Sequence, residues 1–143
     1  MPTESTRWRT DLTWAYSLLR LTLGLNIFFH GAARWIGGLD SFAHSLLPMF
    51  AKTSLPAWSI HAFGLVLPIL ETLIGAAVAL GLRTRMALLA GTLLMLILTF
   101  GSALRQDWPT VGIQLIYSFV YCVLIAGAQF NGYCLDRSAQ DRL

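Results

Sequence analysis

Charged residues are scarce in this sequence of 143 residues. Only 12% of the residues are charged and 56% are hydrophobic, whereas soluble domains are about 25% charged and about 45–50% apolar. A chain this short has too little interior to hide so much apolar surface from water. The composition therefore excludes a soluble enzyme and a disordered chain, and it indicates an integral membrane protein whose surroundings are the lipid bilayer.

Cysteine is also scarce. Cys122 and Cys134 are the only two, which excludes a disulfide scaffold, and no CxxC motif is present. The chain carries 10 basic and 7 acidic residues, but it has no basic run and no RNA-binding signature, so we expect no nucleic-acid partner. We also expect no bound metal.

Four apolar segments are long enough to cross a membrane, which takes about 20 mostly apolar residues. These segments are Leu12–Ala33, Trp58–Leu82, Met86–Leu104 and Val111–Phe130. Glycine, serine and threonine are frequent in them, which suits the close packing of helices in lipid. The sequence thus predicts an all-α bundle of four transmembrane helices that forms one domain over residues 1–143. Arg20 interrupts the first segment, which is also too long for a cleaved signal peptide, so we expect it to be retained.

A short helix is predicted in the connection between the first two segments, residues 34–57. Apolar residues recur there at helical spacing: Phe42, Leu46, Leu47 and Phe50. Asp40 or Ser41 would cap this helix, and Pro48 and Pro56 would limit its length. It would lie at the membrane interface or plug the mouth of the bundle.

The distribution of basic residues predicts the orientation of the chain. The two tails and the second connection carry six arginines: Arg7, Arg9, Arg83, Arg85, Arg137 and Arg142. The opposite side carries three basic residues: Arg34, Lys52 and Arg105. Basic residues concentrate on the cytoplasmic side of membrane proteins, so both termini are predicted to be cytoplasmic.

Two charged residues fall inside the apolar segments, Arg20 in the first and Glu71 in the second. A charge at the centre of the bilayer costs at least about 2.5–3.5 kcal/mol. Counted from the cytoplasmic edges, the two lie about 4–5 Å apart in depth at 1.5 Å per residue, which predicts that they pair. Such a pair would either lock the first two helices together or orient a proton carrier or ligand. A neutral, protonated Glu71 is the unpaired alternative.

The helical period predicts one polar or small-residue face on each of three spans. The three faces are Arg20, Gly24, Ile27 and Gly31; Gly64, Pro68, Glu71 and Gly75; and Gln114, Tyr117, Ser118, Tyr121 and Ile125. We expect these faces to meet at the centre of the bundle.

A second polar cluster is predicted at the outer end of the bundle. It contains His30, His61, Arg34, Arg105 and Gln114, with Tyr117 slightly deeper. Such a mouth suits a small anion or a quinone carbonyl. The alternative is that the arginines reach lipid headgroups and loop carbonyls satisfy the histidines. His30 and His61 could also ligate a haem, but they are one pair without any other haem signal, so haem is not expected.

Several motifs resemble those of the DoxX family of membrane proteins. The motifs are LRLTLG at residues 19–24, FHG at 29–31 followed by Arg34, ETLIG at 71–75, ALGLRTR at 79–85 and NGYCLDR at 131–137. Arg34 and Cys134 depart from the lysine and serine that the family usually has. The resemblance implies a four-helix membrane bundle in the inner (plasma) membrane of a bacterium. It also maps Arg20, His30 and Glu71 onto recurrent polar positions of the family.

The resemblance implies a quinone-linked oxidoreductase subunit, because some relatives pass electrons from a sulfur oxyanion such as thiosulfate to quinone. In that hypothesis Arg20, Glu71 and His30 are catalytic. The anion would be bound by Arg34, His61 and Arg105. The quinone, a diffusible co-substrate, would be bound by Gln114, Tyr117 and Tyr121.

Two other functions remain open. The chain could be a non-catalytic accessory subunit of a larger membrane complex, or form a homo-oligomer, with its polar faces used for packing. It could also be a small-molecule or ion transporter, for which four helices are few unless the protein dimerises.

Overall fold

The computed structural model describes residues 4–135, with side chains from residue 7 onward, and its secondary structure in that range is entirely helical. The helices are α1 (Glu4–Ile36), α2 (Leu39–Phe50), α3 (Ala57–Leu80), α4 (Thr84–Leu104) and α5 (Trp108–Ala126), followed by a 3-10 turn (Ala128–Phe130). Within this range, α1, α3, α4 and α5 are long and apolar enough to span a membrane. The predicted all-α bundle with a short helix between its first two spans is confirmed.

The ends of two spans differ from the prediction. Helix α1 begins at Glu4, eight residues before Leu12, and its 33 residues reach about 50 Å at 1.5 Å per residue. Its polar first turns can be helical because they need not lie in hydrocarbon. Helix α5 ends at Ala126 rather than near Phe130, and the chain continues into the 3-10 turn.

Helices α1 and α3 pack closely enough for their backbones to touch. A Cβ atom on Gly24 would overlap the backbone of Ala79, and a Cβ atom on Gly75 would overlap the backbone of Phe28. Only glycine permits this approach, which gives membrane helices most of their van der Waals contact. These contacts fix the register in which the two antiparallel helices face one another.

Helix α2 lies against α3. Ala43 is fully buried, and a Cβ atom on Gly64 would come within 2.7 Å of the Cα atom of Ala43. The N-cap of α2 is Gly38, at φ 92°, rather than the predicted Asp40 or Ser41. This positive φ lets the chain turn sharply between α1 and α2. Pro48 lies inside the helix, which continues to Phe50.

The two ends of the described chain lie at the same end of the bundle. The segment after α5 covers the N-terminal part of α1, where the rings of Trp14 and Tyr133 lie 4.5 Å apart. The predicted common side of the termini agrees with this, while their cytoplasmic location stays a prediction. Arg137 and Arg142, which contributed to it, lie outside the described residues.

The α1–α3 contact leads to a stability prediction for Gly75→Ala. The new methyl group would meet the Phe28 backbone on one side and the carbonyl oxygen of Gly24 at 2.8 Å, and a backbone cannot move aside as a flexible side chain can. We expect the free energy of unfolding to fall by about 1–3 kcal/mol, measured by denaturant unfolding in detergent micelles.

The matched control is Gly112→Ala on α5, where no atom of the described residues, apart from the surrounding backbone of α5 itself, lies within 4 Å of the added methyl group. This variant should be as stable as the parent protein or slightly more stable, because alanine favours helix over glycine. Equal stability of the two variants would contradict the close α1–α3 contact.

Candidate functional site

The buried carboxylate of Glu71 pairs with Arg34. Glu71 is residue 15 of the 24 in α3, so it lies near the middle of a span, and its side chain is 5% exposed. Arg34, in the last turn of α1, donates a hydrogen bond from Nη1 to Glu71 Oε2, and its guanidinium lies 4.5 Å from the centre of the Phe42 ring of α2. The pair thus joins α1, α2 and α3.

The predicted Arg20–Glu71 pair is wrong. Arg20 is buried, with 3% of its surface exposed. Its Nη1 donates to the carbonyl oxygens of Val78 at 2.6 Å and Ala79 at 2.9 Å, and its Nη2 donates to that of Tyr133 at 2.6 Å. The last carbonyls of a helix lack partners within the helix and attract cations. Arg20 therefore caps α3 and ties it to the C-terminal segment.

The register of α1 against α3 explains the error. Gly24 faces Ala79 and Gly31 faces Thr72, so Arg20 lies level with the C-terminal end of α3 at Leu80. This end lies about 14 Å along α3 from Glu71 at 1.5 Å per residue. Arg34 follows Gly31 by three residues and can reach the carboxylate. Counting depth from the edges of apolar segments missed this offset.

The hydroxyl group of Tyr121 is buried in the interior of the bundle. Tyr121 is fully buried, and its ring packs on Gly91 of α4. Among the described residues its hydroxyl group has no hydrogen-bond partner. The predicted inward orientation holds for Glu71 and Tyr121, which are both buried, while the meeting of their two faces stays a prediction.

A lipid-facing polar group lies between α1 and α5. The hydroxyl of Tyr117 donates to Asn26 Oδ1 at 3.0 Å, and this hydrogen bond is exposed. His30, one turn further along α1, is exposed as well. We name Asn26, His30 and Tyr117 the α1–α5 seam.

The residues predicted to bind an anion already have carboxylate partners. Arg34 is paired with Glu71. His61 Nε2 lies 3.1 Å from Asp40 Oδ1, on α2. The predicted outer mouth is therefore neutralised at these positions by acids of the chain itself.

Arg105, the remaining candidate for anion binding, belongs to the turn between α4 and α5. Its Nη2 lies 3.1 Å from Asp107 Oδ2, and its guanidinium lies 5.0 Å from the centre of the Phe50 ring of α2. The hydrogen bonds that Asp107 accepts from Thr110 lower the pKa of Asp107, with Arg105 as a smaller cause. Asp107 thus stays ionised at neutral pH and keeps Arg105 occupied.

Gln114 faces α4 rather than the seam. Its Nε2 donates to the hydroxyl oxygen of Ser102 at 3.1 Å, while its buried Oε1 has no partner among the described residues. Of the three residues predicted to bind quinone, only Tyr117 belongs to the α1–α5 seam.

Sequence reasoning missed a group on α2 and α3. One ligand-type atom from each of Asp40, His44 and His61 lies within 4.8 Å of the other two. The separation of Asp40 and His44 by four residues, one helical turn, was a signal in the sequence. The third member comes from another helix and could be found only in the fold.

A double-mutant cycle tests the assigned partner of Glu71. Removing one member of a buried ion pair leaves an uncompensated charge, so Arg34→Met and Glu71→Gln should each lower the free energy of unfolding. The double variant should lose less than the sum of both, with a coupling of about 1–3 kcal/mol in denaturant unfolding.

The control cycle combines Arg20→Met with Glu71→Gln. These sites are far apart and share no partner, so their effects should add within about 0.5 kcal/mol. The assignment would be reversed if Arg20→Met and Glu71→Gln were strongly coupled while the effects of Arg34→Met and Glu71→Gln on the free energy of unfolding added.

The comparisons with known proteins identify the family. The DoxX family model matches residues 15–102, more than half of the chain. No curated protein and no solved structure matches the chain. The matched region contains α2, α3, the ion pair of Arg34 with Glu71 and the α1 side of the seam. The chain therefore belongs to the DoxX family.

Proposed function

We propose that this DoxX-family membrane protein is a quinone-linked oxidoreductase subunit whose quinone binds at the α1–α5 seam. The observation that carries the proposal is the exposed hydrogen bond from Tyr117 to Asn26. Tyr117 is residue 10 of the 19 in α5, so the bond lies at the middle of a span. A quinone is a redox carrier that moves within the hydrocarbon layer, and it reaches such a position from the lipid.

The energetics of the membrane support a ligand at this seam. Polar side chains in membrane spans almost always face the interior of the bundle, because lipid offers them no hydrogen bonds. Asn26 and His30 are instead exposed. The amide of Asn26 and the imidazole of His30 can each donate a hydrogen bond, and the hydroxyl of Tyr117 can donate its one proton to a ligand by turning away from Asn26. The two carbonyl oxygens of a quinone ring accept such bonds.

His30 and Glu71 are the groups proposed to handle protons. Reduction of a quinone to a quinol consumes two electrons and two protons. His30 belongs to the seam, and Gly31 beside it faces Thr72, the neighbour of Glu71. His30 and Glu71 therefore lie at similar heights, and a proton can be exchanged between the seam and the interior. Arg20, which is occupied by three carbonyl oxygens, takes no proton in this scheme.

The electron donor proposed is a small sulfur oxyanion such as thiosulfate. Two thiosulfate ions lose one electron each and join through a new S–S bond, and the quinone takes these two electrons with two protons. Arg34 is the cation proposed to bind the donor, because its side chain is 26% exposed. Protonation of Glu71 would release Arg34 for the incoming anion, which couples anion binding to proton uptake.

Quinone binding by the purified chain in lipid nanodiscs tests the seam. Tyr117→Phe removes only the hydroxyl group, and we expect it to weaken binding of a short-chain ubiquinone about tenfold, the equivalent of about 1.4 kcal/mol. Glu71→Gln should leave quinone binding near that of the parent while lowering thiosulfate-dependent quinone reduction, since it removes the proton carrier.

Tyr133→Phe is the matched control. Tyr133 is exposed after α5 and stacks on Trp14, away from the seam, so its loss of a hydroxyl group should not change quinone binding. Equal quinone affinity of the parent, Tyr117→Phe and Tyr133→Phe would overturn the proposal.

An accessory subunit of a larger membrane complex is the second candidate. Thr22, Asn26 and His30 recur every four residues on α1, and all three are exposed. Such a polar stripe fits the packing of a partner's transmembrane helix as well as a ligand. A stoichiometric membrane partner that copurifies with the parent chain but not with Asn26→Leu would favour this function.

The location in the inner membrane of a bacterium, with cytoplasmic termini, belongs to the same proposal. It is supported by the family and by the excess of arginine at the end of the bundle that carries the termini.

A further inference from the structure

We propose that Asp40, His44 and His61 form a binding site for a divalent transition-metal ion of the Zn²⁺ type, at the end of the bundle away from the termini. His61 Nε2 lies 3.1 Å from Asp40 Oδ1, and His44 Nε2 lies 3.6 Å from Asp40 Oδ2. Both imidazoles thus direct the same ring nitrogen toward one carboxylate. The composition and motifs predicted no metal, since the site is assembled from two helices.

The distances suit a metal ion. Zinc binds imidazole nitrogen and carboxylate oxygen at about 2.0–2.2 Å, so neighbouring ligand atoms in a tetrahedral site lie about 3.3–3.5 Å apart. His61 Nε2 and His44 Nε2 lie 3.1 Å and 3.6 Å from the two oxygens of the Asp40 carboxylate, and one ligand-type atom from each of the three residues lies within 4.8 Å of the other two. Small rotations of the exposed side chains are enough to close the site.

The ligand chemistry selects the class of ion. Two imidazoles and one carboxylate suit zinc and its neighbours in the first transition row, whereas calcium and magnesium prefer oxygen ligands alone. The side chains of Asp40, His44 and His61 are 74%, 61% and 30% exposed. Water therefore has access to the remaining coordination positions, as in zinc sites with three protein ligands.

The fold holds the three ligands in place. Asp40 and His44 are one turn apart on α2, and Ala43 beside them is pressed against Gly64 of α3. Gly64 follows His61 by three residues, so the same contact that seats α2 also sets the separation of His61 from the other two ligands. Metal binding consequently requires little ordering of the backbone.

A purely structural role accounts for only part of this arrangement. The hydrogen bond between Asp40 and His61 is enough to attach α2 to α3. His44 adds no link between helices, because it lies on the same helix as Asp40, yet its Nε2 faces the same carboxylate and its ring lies 4.7 Å from that of His61. A shared ion explains why all three groups converge.

Zinc titration of the full chain in nanodiscs tests the site, using a purification tag that contains no histidine. We expect one Zn²⁺ ion per chain and a rise in thermal stability as zinc is added, since a ligand of the folded state stabilises it. His44→Ala should weaken zinc binding at least tenfold. His44 is largely exposed, so its replacement should leave the fold intact.

His30→Ala is the matched control, because His30 is the one histidine of the sequence that is not in the cluster, and it lies on α1. The zinc affinity of His30→Ala should equal that of the parent, whereas Asp40→Asn should bind zinc as weakly as His44→Ala does. Zinc binding that is absent from the parent, or equally strong in the parent and His44→Ala, would overturn the proposal. Quinone binding should be unchanged in His44→Ala, which separates this site from the seam.

Discussion

The backbone contact between α1 and α3 determines which polar groups of this protein can meet. Gly24, Gly31 and Gly75 bring the two helices so close that no side chain separates them at these points. Since the hydrophobic effect does not drive helices together in lipid, such contact is a main source of their association. Once the glycines have set the register, every charged residue on α1 has a fixed height along α3.

That register gives Arg20 and Arg34 different partners. Arg20 comes level with the end of α3, where unpaired carbonyl oxygens satisfy its guanidinium. Arg34 comes within reach of Glu71, the carboxylate that most needs a cation. Both sets of contacts follow from the high free-energy cost of an unpaired charge in hydrocarbon. They leave the α1–α5 seam as an exposed polar group in the middle of the spans, and for this reason the quinone site is proposed there.

Helix α2 closes the opposite end of the bundle from the termini. Its Phe42 and Phe50 lie beneath the guanidinium groups of Arg34 and Arg105, so it contacts the last turn of α1 and the end of α4 as well as α3. Cation–π contacts of this kind orient an arginine without neutralising its charge. The charges of Arg34 and Arg105 are neutralised by the carboxylates of Glu71 and Asp107. Because α2 is held at several points, Asp40 and His44 are positioned precisely enough to form a site with a residue of α3.

The sequence by itself determined the four spans, the short helix and the inward faces of α1 and α3, because apolar length and a period of 3.6 residues are local properties. It also singled out Glu71, Arg34, His30 and Tyr117 as candidate site residues. Only the tertiary structure decided their partners. Helical period specifies the face on which a residue lies but not its height against a neighbouring helix. That height depends on where α1 and α3 touch, and a shift of a few turns exchanges Arg20 for Arg34 beside the same carboxylate.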